Sequence, residues 1–213
     1  MEFERLLEIV INEPVFETGL LLSSMADPMD IRKQLSRWVS AGKIFQLRRG
    51  LYCLAPPYQK VKPHPFLIAN RLHSGSYVSL QSALAYYGMI PENVPVTTSL
   101  TAGRPENLRN LLGEFDFRHV QVKWLRGYSQ VDLINDQKAF VAKPEKAILD
   151  LVYLQPGGDS NNYLRELRLQ ALDRLNLDEM KIFASELNKP KLIRASEIIQ
   201  QLFSEEELDY DLL

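Results

Sequence analysis

Between Ile31 and Pro91 the chain has no aspartate or glutamate. Other scarcities narrow the function classes. Cys53 is the one cysteine, which excludes an internal disulfide and gives no sign of an oxidising compartment. No apolar run approaches the ~20 residues that span a bilayer, so no membrane partner is expected. The start, MEFERLLEIV, lacks the basic residues and continuous apolar run of a secretory signal, so a cytoplasmic location is expected. His64, His73 and His119 have no cysteine or carboxylate at metal-ligand spacing. There is no GxxxxGKS/T or GxGxxG phosphate loop and no GxSxG elbow. Gly75-Ser76 is not followed by the paired aspartates that would hold Mg²⁺ at a nucleotidyltransferase site. No catalytic residue, metal or cofactor is therefore expected. An enzyme of nucleotide metabolism stays a weaker alternative, because catalytic residues can converge from distant positions.

What the acid-free stretch does contain is nine cations: Arg32, Lys33, Arg37, Lys43, Arg48, Arg49, Lys60, Lys62 and Arg71. The whole chain has a formal net charge of -2, so this is a local asymmetry. Residues 1–30 hold Arg5 against seven acids, and residues 92–213 hold 15 bases against 20 acids. A protein coating nucleic acid along its length would be basic throughout. A DNA-contacting module joined to a neutral or acidic domain would have this distribution. The bland reading is a solvated face arising partly by chance. The length of 213 residues suits one or two domains, and 46% hydrophobic with 24% charged residues is ordinary for a globular chain.

The first 57 residues predict three helices and a hairpin. Phe3, Leu6, Leu7, Val10 and Ile11 share one helical face. The segment FETGLLLSSM predicts a brief second helix that Thr18 could cap. In DPMDIRKQLSRWVSAG, Asp27 suits the N-cap, Pro28 the first turn, and Gly42 the left-handed stop. Ile31, Leu35, Trp38 and Val39 form the inward stripe at i, i+4, i+7 and i+8. At 100° per residue, Lys33, Arg37 and Ser40 point opposite, Arg32 and Gln34 flank them, and Ser36 also turns outward. KIFQL and LYCL predict two strands with Arg48-Arg49-Gly50 at the turn. This order is that of a winged helix-turn-helix: helix three would enter the major groove of double-stranded DNA and the wing would reach phosphate or minor groove. The candidate DNA-binding residues are Arg32, Lys33, Gln34, Ser36, Arg37, Ser40, Lys43, Arg48 and Arg49. A winged helix used for protein contact, in an adaptor, is the runner-up.

Four prolines in APPYQKVKPHP suggest a linker over 58–65. Beyond it, 66–213 predicts a mixed α+β domain with a helical C-terminal end. PFLIANRL, QSALAYYG and PEKAILDLVYL are expected helices. YVSL, VPVTTSL, FDFRHVQVKWL and KAFVA are expected strands. YLRELRLQALDRL, DEMKIFASELN and ASEIIQQLF are three further helices. In the helix opened by Pro144, Ala147, Ile148 and Leu151 are expected inward, with Glu145 and Lys146 facing out or pairing with a strand. A catalytic cluster of Glu145, Lys146 and Asp150 is the alternative, against which stands the usual dipole and solvation role of charges near a helix start. Tyr86 and Tyr87 read as core packing ahead of a base-stacking platform.

Three phrases, RRGLYCL, SLQSALAYYGMI and VAKPEKAILDL, in this order and spacing, resemble the AbiEi-type antitoxins of type IV toxin–antitoxin and abortive-infection systems. The resemblance covers about residues 1–155. It implies an N-terminal DNA-binding domain that represses its own promoter, with homodimerisation possible. It also implies a second domain that opposes a nucleotidyltransferase-like toxin without a stable complex. Free-standing regulators share this layout, so a stand-alone regulator without a toxin stays open. The last ~55 residues carry no matching phrase.

Overall fold

The computed structural model describes residues 1–22 and 27–210. It is a mixed α+β structure built on two hydrophobic cores. The first module runs α1 (Phe3–Val10), β1 (Phe16–Glu17), α2 (Thr18–Leu22), α3 (Pro28–Ser40), β2 (Ile44–Arg48) and β3 (Leu51–Leu54). The end of the expected second helix, 23–26, lies outside the described residues. Thr18 stands at the first residue of α2, and its Oγ1 donates to the Gly50 carbonyl at 3.4 Å, alongside its own backbone N–H at 2.9 Å. That contact ties β1 to the hairpin. The two-residue β1, too short to register as a periodic pattern, pairs antiparallel with β3 to give the order β1-β3-β2. Phe3, Leu6, Phe16, Ile31, Leu35, Trp38, Ile44 and Leu54 fill the core beneath.

The second part holds α4 (Pro65–Leu72), β4 (Tyr77–Val78), α5 (Leu80–Tyr86), β5 (Val96–Thr101), β6 (Glu106–Asn110), β7 (Gly113–His119), β8 (Tyr128–Asp132), β9 (Lys138–Ala142) and α6 (Pro144–Leu154). Its six-stranded sheet has the order β6-β7-β5-β4-β9-β8. The β5–β7 and β4–β9 pairings are parallel and the others antiparallel. Then follow α7 (Asn161–Glu166), α8 (Leu177–Leu187) and α9 (Pro190–Tyr210). The helix expected over YLRELRLQALDRL stops early: Arg168 and Ala171 adopt φ of 46° and 52°, left-handed values that a continuous helix does not allow. β6 and β8 were not foreseen. Both are edge strands with mostly exposed residues, so neither carries an alternating apolar face. The expected strand over FDFRHVQVKWL is β7 followed by a short 3₁₀ turn, Val122–Trp124.

The stretch 58–65 is pinned along its length. The Tyr58 ring lies 4.9 Å from Phe3, and Gln59 donates to the Leu54 carbonyl at 3.0 Å. The buried Gln137 side chain donates to the Lys62 carbonyl at 2.9 Å and accepts from the His64 N–H at 2.8 Å. The hairpin joins the parts more firmly still. Val15, Leu47, Leu51 and Cys53 belong to the larger core, although they are carried by the first module. Leu51→Ala should therefore destabilise the full chain by ~2–5 kcal/mol, read as a lower urea midpoint. A fragment starting at Lys62 should melt below the intact chain, because its core is left open where those four side chains sit.

Candidate nucleic-acid interface and buried polar cluster

α3 is held from both ends and from below. Asp27 Oδ1 accepts the Met29 N–H at 2.7 Å, Pro28 occupies the first turn, and Gly42 takes a φ of 68° after the helix. Ile31, Leu35 and Trp38 are buried, and Trp38 meets Phe3 edge-on at 5.4 Å. Val39 is half-buried at the margin of this stripe. Arg32, Lys33, Ser36, Arg37 and Ser40 are exposed on the other side, with Gln34 half-buried between. Lys33 lies 3.8 Å from Asp30, an exposed pair of little energetic weight.

The remaining candidates separate. Arg49 is exposed at the hairpin turn. Arg48, also exposed, places its guanidinium on the Leu72 carbonyl at the end of α4, so one hairpin arginine faces the second part of the chain. Lys43 is half-buried with its Nζ 4.4 Å over the Phe3 ring, which fixes it against the first core. The structure thus brings Arg32, Lys33, Arg37 and Ser40 onto one open face of α3, leaves Arg49 exposed at the hairpin turn, and engages Lys43 with Phe3 and Arg48 with the Leu72 carbonyl. The histidines have local roles: His64 Nδ1 accepts the Phe66 N–H at 3.1 Å as the cap of α4, His73 packs on Phe117, and His119 Nδ1 meets the Gly103 carbonyl at 2.8 Å.

In α6 Glu145 and Lys146 do not face out, while pairing with a strand holds for Lys146, which meets Tyr77 of β4. Every residue from Glu145 to Val152 is buried, so this helix has no outward face. Lys146 and Asp150, one turn apart, form an ion pair with no exposure of either side chain. Asp150 also accepts from the Ser79 hydroxyl at 2.8 Å and the Tyr77 hydroxyl at 3.1 Å, while Lys146 donates to the Tyr77 oxygen at 2.8 Å. Glu145 Oε1 accepts the Asn176 N–H at 2.7 Å, tying α6 to the start of α8. Burial pushes Asp150 up and Lys146 down from their ordinary values, each opposed by the other's charge. The cluster is chemically dense but sealed: Tyr77, Ser79, Lys146 and Asp150 are all fully buried, which leaves no approach for a substrate to the Lys146/Asp150 pair. Leu80, directly after Ser79, adopts a φ of 57°, an uncommon conformation for leucine, held by hydrogen bonds between this turn and β5. Tyr77 and Ser79 were not anticipated as partners. The available signal was a lysine and an aspartate at i, i+4 inside an otherwise apolar run. Tyr86 also departs from expectation: it is 41% exposed, resting on Phe66 and Tyr87, while Tyr87 is half-buried.

No family model matches the chain, and no curated protein matches it by sequence. Among solved structures it is similar to the RV2827C protein from Mycobacterium tuberculosis. The TM-score is 0.56 at 14% identity, over 92% of this chain and 75% of that one. At that identity the likeness is one of fold. It extends over more of the chain than the three sequence phrases do. Among the described residues, no helix is long and apolar enough to cross a membrane.

Two outcomes follow from the buried groups. Asp150→Ala or Lys146→Ala should each cost ~3–5 kcal/mol, since one charge is left unpaired in the interior. The double variant Lys146→Met/Asp150→Leu should recover much of that loss; urea denaturation of all three decides it. Burial also pushes the Cys53 thiol and the Tyr87 hydroxyl up to about 12, and Tyr77 higher. A raised folded-state value means that the unfolded chain releases its proton first. Stability is therefore intact below pH ~8.5, the ordinary thiol value, and declines as pH rises toward 12. Unfolding free energies measured from pH 8 to 11 should fall, and Cys53→Ser should flatten the first part of that fall.

Proposed function

We propose that the first module is a winged helix-turn-helix and that the chain is a DNA-binding transcriptional repressor acting on its own promoter. The observation that carries this reading is the exposed Arg32, Lys33, Arg37 and Ser40 face of α3, opposite the packed Ile31, Leu35 and Trp38 stripe, together with the exposed Arg49 at the hairpin turn. Arginine can read guanine through two parallel hydrogen bonds and glutamine can read adenine, while lysine and the wing supply phosphate contact. We further propose that the chain is the antitoxin of a type IV system, opposing a nucleotidyltransferase-like toxin without forming a stable complex with it. That half rests on RRGLYCL, SLQSALAYYGMI and VAKPEKAILDL. The reading has no catalytic role for the chain, and it admits a homodimer on DNA. A stand-alone regulator is the second reading, favoured if no toxin gene adjoins this one.

Titration of the full chain against its own upstream DNA tests the first half. Lys33→Ala/Arg37→Ala should weaken specific binding by ~1–3 kcal/mol for each hydrogen-bonded base that is no longer read. Arg49→Ala should weaken binding to all sequences and reduce the salt slope by about one. Arg48→Ala should lower the urea midpoint more than it lowers the slope. Unchanged affinity for the Lys33/Arg37 double variant would sink the α3 assignment. Growth under induced toxin, with and without this chain, tests the second half.

A further inference from the structure

A cleft of about 790 Å³ opens where the first module meets the second sheet. Residues 12–17, leading into β1, form one wall. The end of α4, the turn at 74–76 and the strands β8 and β9 form the other. We propose that this cleft binds a neutral nucleoside.

Four features carry the assignment. The first is a rigid aromatic platform. Tyr128 and Phe140 line the cleft and remain 37% and 43% exposed. The Tyr128 ring is held flat on buried Tyr77, with centroids 4.6 Å apart and planes 11° apart, and Phe140 meets Tyr128 edge-on at 5.9 Å. Asn70 fixes the Phe140 backbone by accepting its N–H at 2.6 Å. Fixed, exposed rings are what a planar base stacks on. The second is an orphan at the wall: Ser76 is 4% exposed, lines the cleft, and its hydroxyl has no hydrogen-bond partner among the described residues. A buried hydroxyl normally has one, which a water or a bound ligand can supply. The third is the pair of exposed amides, Gln130 and Asn135, which can match the donor and acceptor edge of a base. The Asn70 and Gln137 amides are engaged within the protein and are not counted.

The fourth feature is charge. Glu13, Glu17 and Asp136 line the cleft against Arg71 and Lys138. Arg71 is 3.7 Å from Glu17, and Lys138 is 3.6 Å from Asp132. With carboxylates in excess and both cations beside acids, the cleft does not suit a phosphate. The nucleoside is favoured over the nucleotide. A volume of this size lies within the usual range for small-molecule sites. Because its walls come from both parts of the chain, an occupant stabilises the junction.

Calorimetric titration and thermal melting of the full chain, without DNA, against adenosine, guanosine, cytidine and uridine and their 5′-monophosphates test the proposal. At least one nucleoside should bind saturably and raise the melting temperature, about tenfold or more tighter than its monophosphate. Phe140→Ala and Ser76→Ala should each weaken that binding about tenfold while the ligand-free melting temperature stays near that of the unaltered chain. If no nucleoside binds up to millimolar concentration, if a monophosphate binds as tightly, or if both variants bind unchanged, the proposal is overturned. The assay contains no DNA, so its result is independent of whether the chain is a repressor.

Discussion

A lysine and an aspartate placed together out of reach of water need hydrogen-bond partners on every side, and the Lys146–Asp150 pair imposes that demand on the second domain. The partners are supplied from elements far apart in the chain. Tyr77 comes from β4, Ser79 from the turn that follows it, and the Tyr77 hydroxyl also reaches the Trp124 carbonyl at 3.4 Å. α6 thereby becomes the axle on which the centre of the sheet, the α5 entry and the 3₁₀ turn at Val122–Trp124 are positioned. Glu145, one residue earlier, extends the same logic outward by accepting the Asn176 N–H, which places the start of α8. Apolar packing could hold these elements with less regard for register. Directed hydrogen bonds to two buried charges hold them in one arrangement, including the uncommon Leu80 backbone conformation.

That rigidity passes to the first module through the hairpin. Leu51 and Cys53 on β3 and Leu47 on β2 point into the larger core, while Ile44 and Leu54 belong to the smaller one. A short ribbon with apolar contacts on both sides cannot swing as a free wing. Arg48, anchored on the Leu72 carbonyl, adds a polar tie at the same place. Under the DNA-binding reading, α3 and the exposed Arg49 would be presented at a set angle from a platform that includes the second domain. The orientation then needs less ordering when DNA is met, which lowers the entropic cost of binding.

The sequence made local structure legible wherever a pattern had physical punctuation. Asp27, Pro28 and Gly42 marked α3, and the period of Ile31, Leu35 and Trp38 gave its inward face. Pro144 marked α6. The failures also have causes. β6 and β8 are edge strands without alternation, and β1 is two residues long, so none has a periodic signal. For α6, facing out is excluded for Glu145 and Lys146 because the helix is buried all round, whereas pairing with a strand holds for Lys146, which meets Tyr77 of β4 as well as Asp150. Thr18 lies at the start of α2, and its hydroxyl also reaches the hairpin carbonyl of Gly50, a partner 32 residues away that no local pattern shows. Of the candidate DNA-binding residues, the α3 set was readable because helical geometry alone orients it. The contacts of Lys43 and Arg48 were not, because their partners, Phe3 and Leu72, are brought near only by tertiary packing.

The acid-free stretch looks different once folded. Its nine cations do not form one continuous surface. Lys33 lies beside Asp30, Lys43 on Phe3, Arg48 on Leu72 and Arg71 beside Glu17, so four have partners within the protein itself. Lys60 and Lys62 are exposed on the pinned connection, and Arg32, Lys33, Arg37 and Arg49 stand on the α3 face and at the hairpin turn. The excess of base over acid therefore serves two purposes. After Asp30, which lies beside Lys33, α3 has no carboxylate of its own to neutralise its exposed cations. Lys43, Arg48 and Arg71 also make contacts within the fold, to the Phe3 ring, the Leu72 carbonyl and Glu17. Lys43 is half-buried and the other eight cations are exposed, so these contacts tie the hairpin and the end of α4 to their surroundings without taking the charge off the surface.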